Sequence, residues 1–342
     1  MKVAVFSTEK YDRQFLDAAN TSTNANHEFI FHETRLEAKT ATLAAECTAV
    51  CVFVNDDLGS ETLKILAEQG TRLVALRCTG FNNVDLETAA EVGIKVVRVT
   101  VYSPYSVAEF AVGMMMMLNR KLYKAYNRVR EDNFSLNGLL GFDLHSRTVG
   151  IVGTGKIGVI VGHILHGFGC HLVGYDPYPN PKFAEINDAR YVDLPELLSS
   201  SDIISLHCPL TPENHHLINA KTIAQMKPGV MLINTSRGQL IDTKSAIEGI
   251  KSGIIGYFGI DVYEQEESIF FKDLSDTIIQ DDTFQLLQSF PNVLITSHQA
   301  FFTREAMNDI ANTTISNITD FEVGNSLKNE VKLPEKTAKA GN

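Results

Sequence analysis

The sequence lacks three features that would indicate a nucleic-acid-binding, membrane or metal-binding protein. Basic residues are the minority, with 30 Lys and Arg against 41 Asp and Glu and a net charge of −11, so the surface does not suit a polyphosphate partner. No window approaches the roughly 18 uninterrupted apolar residues of a membrane span. The five cysteines are an odd number and form no Cys-x-x-Cys pair, which indicates free thiols in a reducing compartment and no metal site. The apolar run after Met1 is too short for a secretion signal, and we therefore expect a cytoplasmic protein.

What the sequence does contain is an alternation of short apolar runs with longer helical stretches, the pattern of parallel α/β sheets. Its 342 residues are more than one ordinary domain needs. The strand-like runs are KVAVFS, HEFIFHE, AVCVFVN, TRLVALRC and IKVVRV, and then TVGIVG, HLVGYD, DIISLHCP, VMLINTSRG, IIGYFGIDVY and NVLITSHQA. The first group predicts a small doubly wound domain, and the second group matches a dinucleotide-binding sheet buried on both faces.

Helical stretches connect and follow these two groups of strands. A long helix is predicted from about Ser106 to about Arg130, between the groups. A second is predicted from Thr303 to about Val323, after the last strand. The polar segment from Asn325 to the C-terminus is predicted to have no regular structure.

The strongest local signal is Gly153-Thr-Gly155-Lys-Ile-Gly158, which follows an apolar strand and opens a helix. In a dinucleotide-binding turn the first glycine permits the tight turn, the second lets the backbone approach a pyrophosphate, and the third lets helix and strand pack closely. The next strand ends on Asp176, about twenty residues further on, where a carboxylate accepts hydrogen bonds from a ribose hydroxyl and repels the 2′-phosphate of NADP. A purely structural glycine turn is the alternative, but this context favours NAD as the cofactor.

Polar residues follow the apolar strands of the second group, at the edge where ligands bind in open α/β sheets. They are Cys208 and Pro209, then Thr235, Ser236 and Arg237, then Asp261 with Glu266, and finally His298. The arginine, glutamate and histidine among them suit hydride transfer to a 2-keto acid. The ketone needs a proton as hydride arrives, which a histidine can supply near neutral pH, and a neighbouring carboxylate stabilises the imidazolium. An arginine can hold the substrate carboxylate with two hydrogen bonds and polarise the carbonyl.

Each member of this trio also has a structural explanation when it is taken alone. His298 could be an ordinary surface or core histidine, Arg237 could form a structural ion pair, and Glu266 lies in the acidic stretch EQEES. Their arrival together at the ends of successive strands favours a catalytic trio.

Longer segments of the chain resemble the D-isomer-specific 2-hydroxyacid dehydrogenases. NTSRG, GIDVYE and SHQAF are similar to the arginine, glutamate and histidine segments of that family, and GTGKIG with YDPYP, SLHCPLTPEN and MKPGVMLINTSRG are similar to other family segments in the same order. The resemblance extends from the first strand to about residue 325. RCTGFNNVD, NFSLNGLLGFDL and HQAFFT are most similar to the fermentative D-lactate dehydrogenases within the family. The chain departs from its close relatives at Thr100, Val101 and Phe110.

The resemblance implies a role for each site residue. Arg237 would anchor the substrate, His298 would donate the proton, and Glu266 would be the partner of His298. The remaining substrate contacts would be the amides of Thr79 and Gly80, with Tyr102 nearby. The implied cofactor contacts are Lys156, Ile157, Asp176, Cys208, Pro209, Asn214, Thr235 and Asp261, of which the last would face the nicotinamide amide.

The resemblance also implies the domain organisation and the reaction. A Rossmann NAD-binding domain, residues 102–299, would be inserted into a flavodoxin-like substrate domain, residues 1–101 and 300–342. Hinges near Val101 and Ala300 would let a cleft close over the substrate, and the long helix would form the surface of a homodimer or a dimer-based tetramer. The expected reaction is the reversible reduction of pyruvate to D-lactate with NADH. A dehydrogenase for a larger 2-keto acid and a non-enzymatic NAD-sensing corepressor remain as alternatives, the second disfavoured by the intact trio.

Overall fold

A computed structural model describes residues 1–333, and its N-terminal part is a parallel sheet with connecting helices. In chain order the elements are β1 (Lys2–Val5), α1 (Lys10–Ser22), β2 (Glu28–Phe31), β3 (Ala49–Val52), α2 (Ser60–Glu68), β4 (Leu73–Leu76), α3 (Leu86–Glu91) and β5 (Lys95–Arg98). The five strands are parallel and lie in the order β2-β1-β3-β4-β5. Every residue of β3 and β4 is buried, as expected for strands that are covered on both faces.

A second parallel sheet is formed by the middle of the chain. Its elements are α4 (Pro104–Arg120), α5 (Leu122–Arg130), β6 (Thr148–Val152), α6 (Lys156–Gly167), β7 (His171–Tyr175), α7 (Pro181–Ala184), β8 (Ala189–Tyr191), α8 (Leu194–Ser200), β9 (Ile203–Leu206), α9 (Ala220–Ile223), β10 (Val230–Asn234), α10 (Thr243–Lys251), β11 (Ile255–Ile260), α11 (Asp282–Ser289) and β12 (Val293–Ile295). Seven strands lie in the order β12-β11-β10-β9-β6-β7-β8. The prediction of two doubly wound parallel sheets is therefore confirmed.

The chain then returns to the first sheet with one long helix, α12 (Arg304–Glu322). The Thr303 hydroxyl caps this helix by accepting a hydrogen bond from the Ala306 amide at 3.2 Å. Apolar residues of α12, among them Ile315 and Ile318, share a buried core with β1. The described chain thus divides into one unit made of Met1–Ser103 with residues 303–333, and a second, continuous unit, Pro104–Phe302.

The order of strands places a topological switch point in each unit, the position at which open α/β sheets bind ligands. In the second sheet β6 and β9 are neighbours, and from them the chain winds outward in both directions. Gly153 follows β6 and Cys208 follows shortly after β9, so the glycine motif lies at this switch point. In the first sheet the corresponding neighbours are β1 and β3.

Three details differ from the sequence-based expectations. The second sheet has a seventh strand, β8, which is only three residues long and partly exposed, and therefore carries no apolar run. The predicted single helix from Ser106 to Arg130 is interrupted at Lys121, which has a left-handed φ of 51° that an α-helix cannot continue through. Part of the segment after Asn325 pairs with β5, because Glu330 bridges Val97 in antiparallel sense. Residues 334–342 lie outside the described residues.

No helix among residues 1–333 is both long enough and apolar enough to cross a membrane. The described part of the chain also contains no group of three or more His, Cys, Asp or Glu side chains that could hold a metal ion. All five cysteines are free thiols.

Candidate active site

The glycine turn between β6 and α6 is shaped by contacts that only glycine can make. Gly153 has a φ of +93°, and a Cβ on it would lie 2.5 Å from the Cys208 amide nitrogen. A Cβ on Gly158 would lie 2.0 Å from the Gly153 carbonyl oxygen. Gly155 differs, because apart from its chain neighbours and its own helix no described heavy atom lies within 4 Å of its would-be Cβ. The start of α6, with the exposed Lys156 and the half-buried Ile157, is therefore open to an anionic group.

Asp176 lies directly after β7 and is bound to this turn by hydrogen bonds. Its Oδ2 atom accepts from the Thr154 amide at 2.7 Å and from the Thr154 hydroxyl at 3.2 Å. Its Oδ1 atom accepts from the Tyr178 amide at 2.8 Å. The carboxylate is thereby fixed beside the open helix N-terminus, the position from which it can accept from ribose hydroxyls.

A further layer of residues, which the sequence reasoning missed, supports Asp176. The buried Thr154 hydroxyl lies 2.7 Å from the Tyr191 hydroxyl. The Asn180 amide group donates from Nδ2 to the Thr154 carbonyl at 3.0 Å, and its backbone N–H donates to the Tyr191 hydroxyl at 2.7 Å. Tyr191 is the last residue of the short strand β8, so neither its strand nor its contact was visible in the apolar pattern.

The residues after β9 and β10 line the other side of the switch point. Burial raises the pKa of the Cys208 thiol to about 11, so this side chain is a neutral thiol at physiological pH. Asn214 uses its side chain to close the loop, donating to the Pro209 carbonyl at 2.7 Å and accepting from the Thr211 amide at 2.7 Å. The Ser236 hydroxyl donates to the Leu206 carbonyl at 2.9 Å.

Thr235 carries an unsatisfied polar atom at the same edge. Its hydroxyl oxygen is buried and has no hydrogen-bond partner within residues 1–333. Buried hydroxyl groups are normally paired, so an orphan at a ligand-binding edge fits a site that a polar ligand completes. The open helix N-terminus, the Asp176 carboxylate and this hydroxyl together fit a dinucleotide.

Arg237 follows β10, and hydrogen bonds from neighbouring residues fix its backbone. The Asn234 side chain donates to the Arg237 carbonyl at 2.8 Å and accepts from the Ser236 amide at 3.0 Å. The guanidinium donates from Nη1 to the Ser236 carbonyl at 2.7 Å. It takes part in none of the ion pairs found in the described chain, so most of its donors are available to an anion.

His298 and Glu266 form the pair that the sequence predicted. His298 Nδ1 lies 2.7 Å from Glu266 Oε1, and each side chain is 21% exposed. The second carboxylate oxygen, Oε2, accepts from the Tyr263 amide at 2.9 Å. His298 has a left-handed φ of 55°, and its amide donates to the Asp261 carbonyl at 2.7 Å. With Nδ1 held by Glu266, the Nε2 atom is the ring nitrogen that can meet a substrate.

Asp261 is fully buried, and its carboxylate is surrounded by donors from the segment that carries His298. Oδ1 accepts from the Thr296 hydroxyl at 2.5 Å and from the Gln299 amide at 2.9 Å, and Oδ2 accepts from the Ala300 amide at 2.8 Å. Burial raises the pKa of this carboxyl group, while these three hydrogen bonds oppose the shift. These hydrogen bonds hold the backbone turn that carries His298. The expected contact of Asp261 with the nicotinamide stays a prediction.

The three remaining residues, Thr79, Gly80 and Tyr102, belong to the first unit. Thr79 and Gly80 follow β4, and no described residue accepts a hydrogen bond from their amides. Arg98, which the sequence reasoning missed, donates to the Thr79 carbonyl at 2.7 Å and covers the ring of Phe81 at 4.8 Å. The feature of the sequence that could have identified Arg98 is a charged residue at the end of an apolar strand. Tyr102 lies in the segment between β5 and α4.

Comparison with known proteins gives a consistent family. A sequence model of the D-isomer specific 2-hydroxyacid dehydrogenase NAD binding domain matches residues 112–300. The D-lactate dehydrogenase of Escherichia coli (strain K12) is 52% identical over 331 residues, covering 97% of this chain and 100% of that protein. The 2-hydroxyacid dehydrogenase homolog 1 of Schizosaccharomyces pombe is 51% identical over 327 residues, covering 95% and 98%. The solved apo structure of the Escherichia coli D-lactate dehydrogenase superposes with a TM-score of 0.89 at 50% identity, covering 97% and 100%.

Proposed function

The chain belongs to the D-isomer specific 2-hydroxyacid dehydrogenases and is an NAD-dependent oxidoreductase, and from that premise we propose that it reduces pyruvate reversibly to D-lactate. The observation that carries the proposal is the 2.7 Å pair of His298 and Glu266 on the same sheet edge as the unpaired Arg237. A role in cytoplasmic fermentation goes with this reaction as a prediction.

His298 is the proposed proton donor. NADH, when bound, supplies the hydride that adds to the carbonyl carbon of the keto acid. As the carbonyl oxygen gains charge, the protonated His298 gives it the proton from Nε2 and becomes neutral. Glu266 accepts from Nδ1, which fixes the orientation of the ring and places a negative charge beside it. In the reverse direction the neutral imidazole takes the proton of the lactate hydroxyl.

Arg237 is the proposed substrate anchor. Its planar guanidinium can donate two parallel hydrogen bonds to a carboxylate, and one of its five donors is already fixed on the Ser236 carbonyl. That internal bond limits the rotation of the group before substrate arrives. The bound carboxylate would then place the neighbouring ketone at a constant distance from His298 Nε2.

NAD would be held at the β6–β9 switch point of the second unit. The amides at the start of α6 would meet the pyrophosphate, and Asp176 would accept from the adenosine ribose hydroxyls. Further proposed contacts are Gly153, Gly155, Lys156, Ile157, Gly158, Cys208, Pro209, Asn214, Thr235, Ser236 and Asp261. By the same proposal the second unit is the NAD-binding domain and the first unit is the substrate domain, in which Thr79, Gly80 and Tyr102 contact the keto acid.

A panel of 2-keto acids at saturating NADH tests the reaction. We expect a higher kcat/KM for pyruvate than for 2-ketoisocaproate or phenylpyruvate. A preference for one of the larger acids would leave the proposed reaction mechanism in place and show that pyruvate is not the main substrate. Absence of NADH oxidation with every acid would instead favour a non-enzymatic NAD sensor, despite the intact trio.

A second copy of the chain is the proposed partner, and α5 with the loop after it is the proposed interface. Leu122, Tyr126 and Val129 are more than half exposed at spacings that place them on one face of α5. Phe134, Leu136 and Leu140, in the loop, are 71%, 81% and 86% exposed. Several large apolar side chains exposed within one segment are typical of a protein interface. Sedimentation of the Tyr126→Lys and Leu140→Glu variants tests the proposal, since both should dissociate a dimer that uses this face.

A further inference from the structure

A second histidine–carboxylate pair, His216 and Glu264, lies in the same unit as the catalytic one. His216 Nε2 is 2.7 Å from Glu264 Oε1, and the two side chains are 32% and 22% exposed. Glu264 lies two residues before Glu266 on the loop after β11. The proposed reaction does not use this pair.

Glu264 joins three segments of the second unit through one carboxylate. Its Oε1 atom meets His216 from the loop after β9. Its Oε2 atom accepts from the Thr243 hydroxyl at 2.8 Å and from the Thr243 amide at 3.2 Å, at the start of α10. Both oxygens are therefore occupied by donors from segments other than its own.

The segments that meet at Glu264 also carry the anchor and the partner of the proton donor. Gly238 follows Arg237, and a Cβ on it would lie 2.2 Å from the carbonyl carbon of Tyr263, so these two stretches of backbone are in direct contact. The His216 amide donates to the Gln239 carbonyl at 2.9 Å. On the other side, the Tyr263 amide holds Glu266 Oε2 at 2.9 Å. A shift of the Tyr263–Glu264 peptide would therefore move Glu266 relative to Arg237.

We propose that Glu264, held by His216 and Thr243, is a positioning residue. It keeps Glu266 in contact with His298 and at a fixed position relative to Arg237. The inference rests on the proposed function, because it assigns the pair a part in the same proton transfer. An ion pair near the surface contributes little to stability by itself, whereas one that fixes the relative position of two reacting groups acts on the rate.

Other charged groups surround the pair and must be separated from it in the test. Asp242 lies within electrostatic range of His216, and its pKa is lowered, first by the Ser245 hydroxyl and further by the charge of His216. The His215 ring lies against the His216 ring with centroids 3.9 Å apart. The Tyr263 hydroxyl donates to Asp281 at 2.7 Å. None of these groups is altered in the variants below, except His215 as the control.

The test compares His216→Gln, Glu264→Ala and Glu264→Gln with His215→Gln in the full-length protein. His215 is the matched control, since it is an exposed histidine at the adjacent position. We expect kcat/KM for pyruvate to fall about tenfold or more in the first three variants, with little change in the dissociation constant of NADH. The alkaline limb of the pyruvate-reduction profile should move to lower pH, because a displaced Glu266 places its negative charge farther from the His298 ring. His215→Gln should behave as the parent enzyme.

The direction in which the alkaline limb moves distinguishes a positioning role from a purely electrostatic effect of the two charges. If the pair acted only through its charges, loss of the Glu264 carboxylate would move the limb to lower pH and loss of a cationic His216 would move it to higher pH. If the alkaline limb moves to lower pH in both the Glu264 and the His216 variants, the result supports positioning. If the limb moves in opposite directions in the two, the result overturns it. Unchanged kinetics with a lowered melting temperature also overturn it, since the pair would then only stabilise the loop. If Glu264→Ala does not fold, the isosteric Glu264→Gln decides together with His216→Gln.

A His298→Ala variant separates this inference from the proposed function. A fully active His298→Ala enzyme would overturn the mechanism itself. An inactive His298→Ala enzyme together with parental His216→Gln and Glu264→Gln enzymes would leave the mechanism intact and overturn the positioning role alone.

Discussion

Glu266 holds His298 at Nδ1, with 2.7 Å between the two atoms, and no residue within the described chain holds the opposite ring nitrogen, Nε2. One nitrogen is thus committed to orientation and the other is available for proton transfer. This division of the ring leads to a prediction about pH.

Glu266→Gln should move the pH dependence of both reaction directions to lower pH. The substitution keeps the shape of the side chain and removes a negative charge whose oxygen lies 2.7 Å from the His298 ring. Pyruvate reduction, which needs the protonated ring, should then fail at a lower pH, while lactate oxidation should persist to a lower pH. The exposed neighbour Glu267 provides the control Glu267→Gln, which should leave both profiles in place. Profiles in both directions from about pH 5 to 9 give the answer, and unshifted limbs in Glu266→Gln contradict the coupling.

Arg237→Lys should impair pyruvate reduction by a factor on the order of 10², although it keeps the charge. Lysine cannot form the two-pronged contact with a carboxylate, and it loses the Nη1 bond to the Ser236 carbonyl. The dissociation constant of NADH should change much less. Steady-state kinetics and NADH titration measure the two quantities separately, and near-normal pyruvate kinetics would exclude Arg237 from the substrate site.

Asp176 should determine the choice between NADH and NADPH. In Asp176→Ala the ribose loses a charged acceptor, so NADH binding should weaken roughly tenfold to a hundredfold while discrimination against NADPH falls. Because Asp176 also accepts from the Thr154 amide, Asp176→Asn is the better matched variant, since it keeps an oxygen for that bond. An NADH to NADPH efficiency ratio that stays constant in both variants would show that another residue makes the choice.

Two glycines of the same turn should respond differently to alanine. Gly158→Ala places a methyl group 2.0 Å from the Gly153 carbonyl oxygen, so we expect a loss of stability of about 1–3 kcal/mol or more without any ligand. Gly155→Ala meets no such obstacle, so its melting temperature should stay near the parental value while NADH binds more weakly. Thermal unfolding and NADH fluorescence titration separate the two effects. Equal destabilisation by both substitutions would contradict this division.

His207 should make the protein sensitive to acid. Burial lowers the pKa of its ring to about 4, and its Nδ1 atom is buried without a partner among residues 1–333. Protons therefore bind the unfolded chain more readily, so the stability that the neutral ring contributes is present above about pH 6.5 and is lost as the pH falls toward 4. His207→Gln should flatten this part of the curve of unfolding free energy against pH. His163→Gln, at an exposed position on α6, should leave the slope unchanged.

The sequence was sufficient to predict the sheet edge at which a side chain lies where that side chain closely follows an apolar strand. The glycine motif and Asp176 directly follow their strands, and Arg237 and His298 come three residues after theirs, so counting strands places them at the same edge. The contacts between residues far apart in the chain could not be read in this way. Thr154 meets Tyr191 across 37 positions, on a strand too short to show an apolar pattern.

Backbone conformation was equally hidden from the sequence pattern. Lys121 ends α4 in a left-handed conformation, although its neighbours continue the helical periodicity. Asp261 has the position of a ligand-binding carboxylate but is fully buried under three donors from the His298 turn. Both features depend on which groups the tertiary structure brings together, and a residue pattern does not encode that.

The return of the chain to its first sheet has a consequence for biosynthesis. The core that β1 shares with α12 includes Ile315 and Ile318, which leave the ribosome some 300 residues after β1 does. The second unit is continuous, so all of its strands are available before α12 has been made. During translation the first unit must therefore keep an apolar face uncovered while the second unit completes its own core. We therefore expect the domain whose strands are synthesised first to finish folding last, and a chaperone or a neighbouring nascent chain would meet it in this interval.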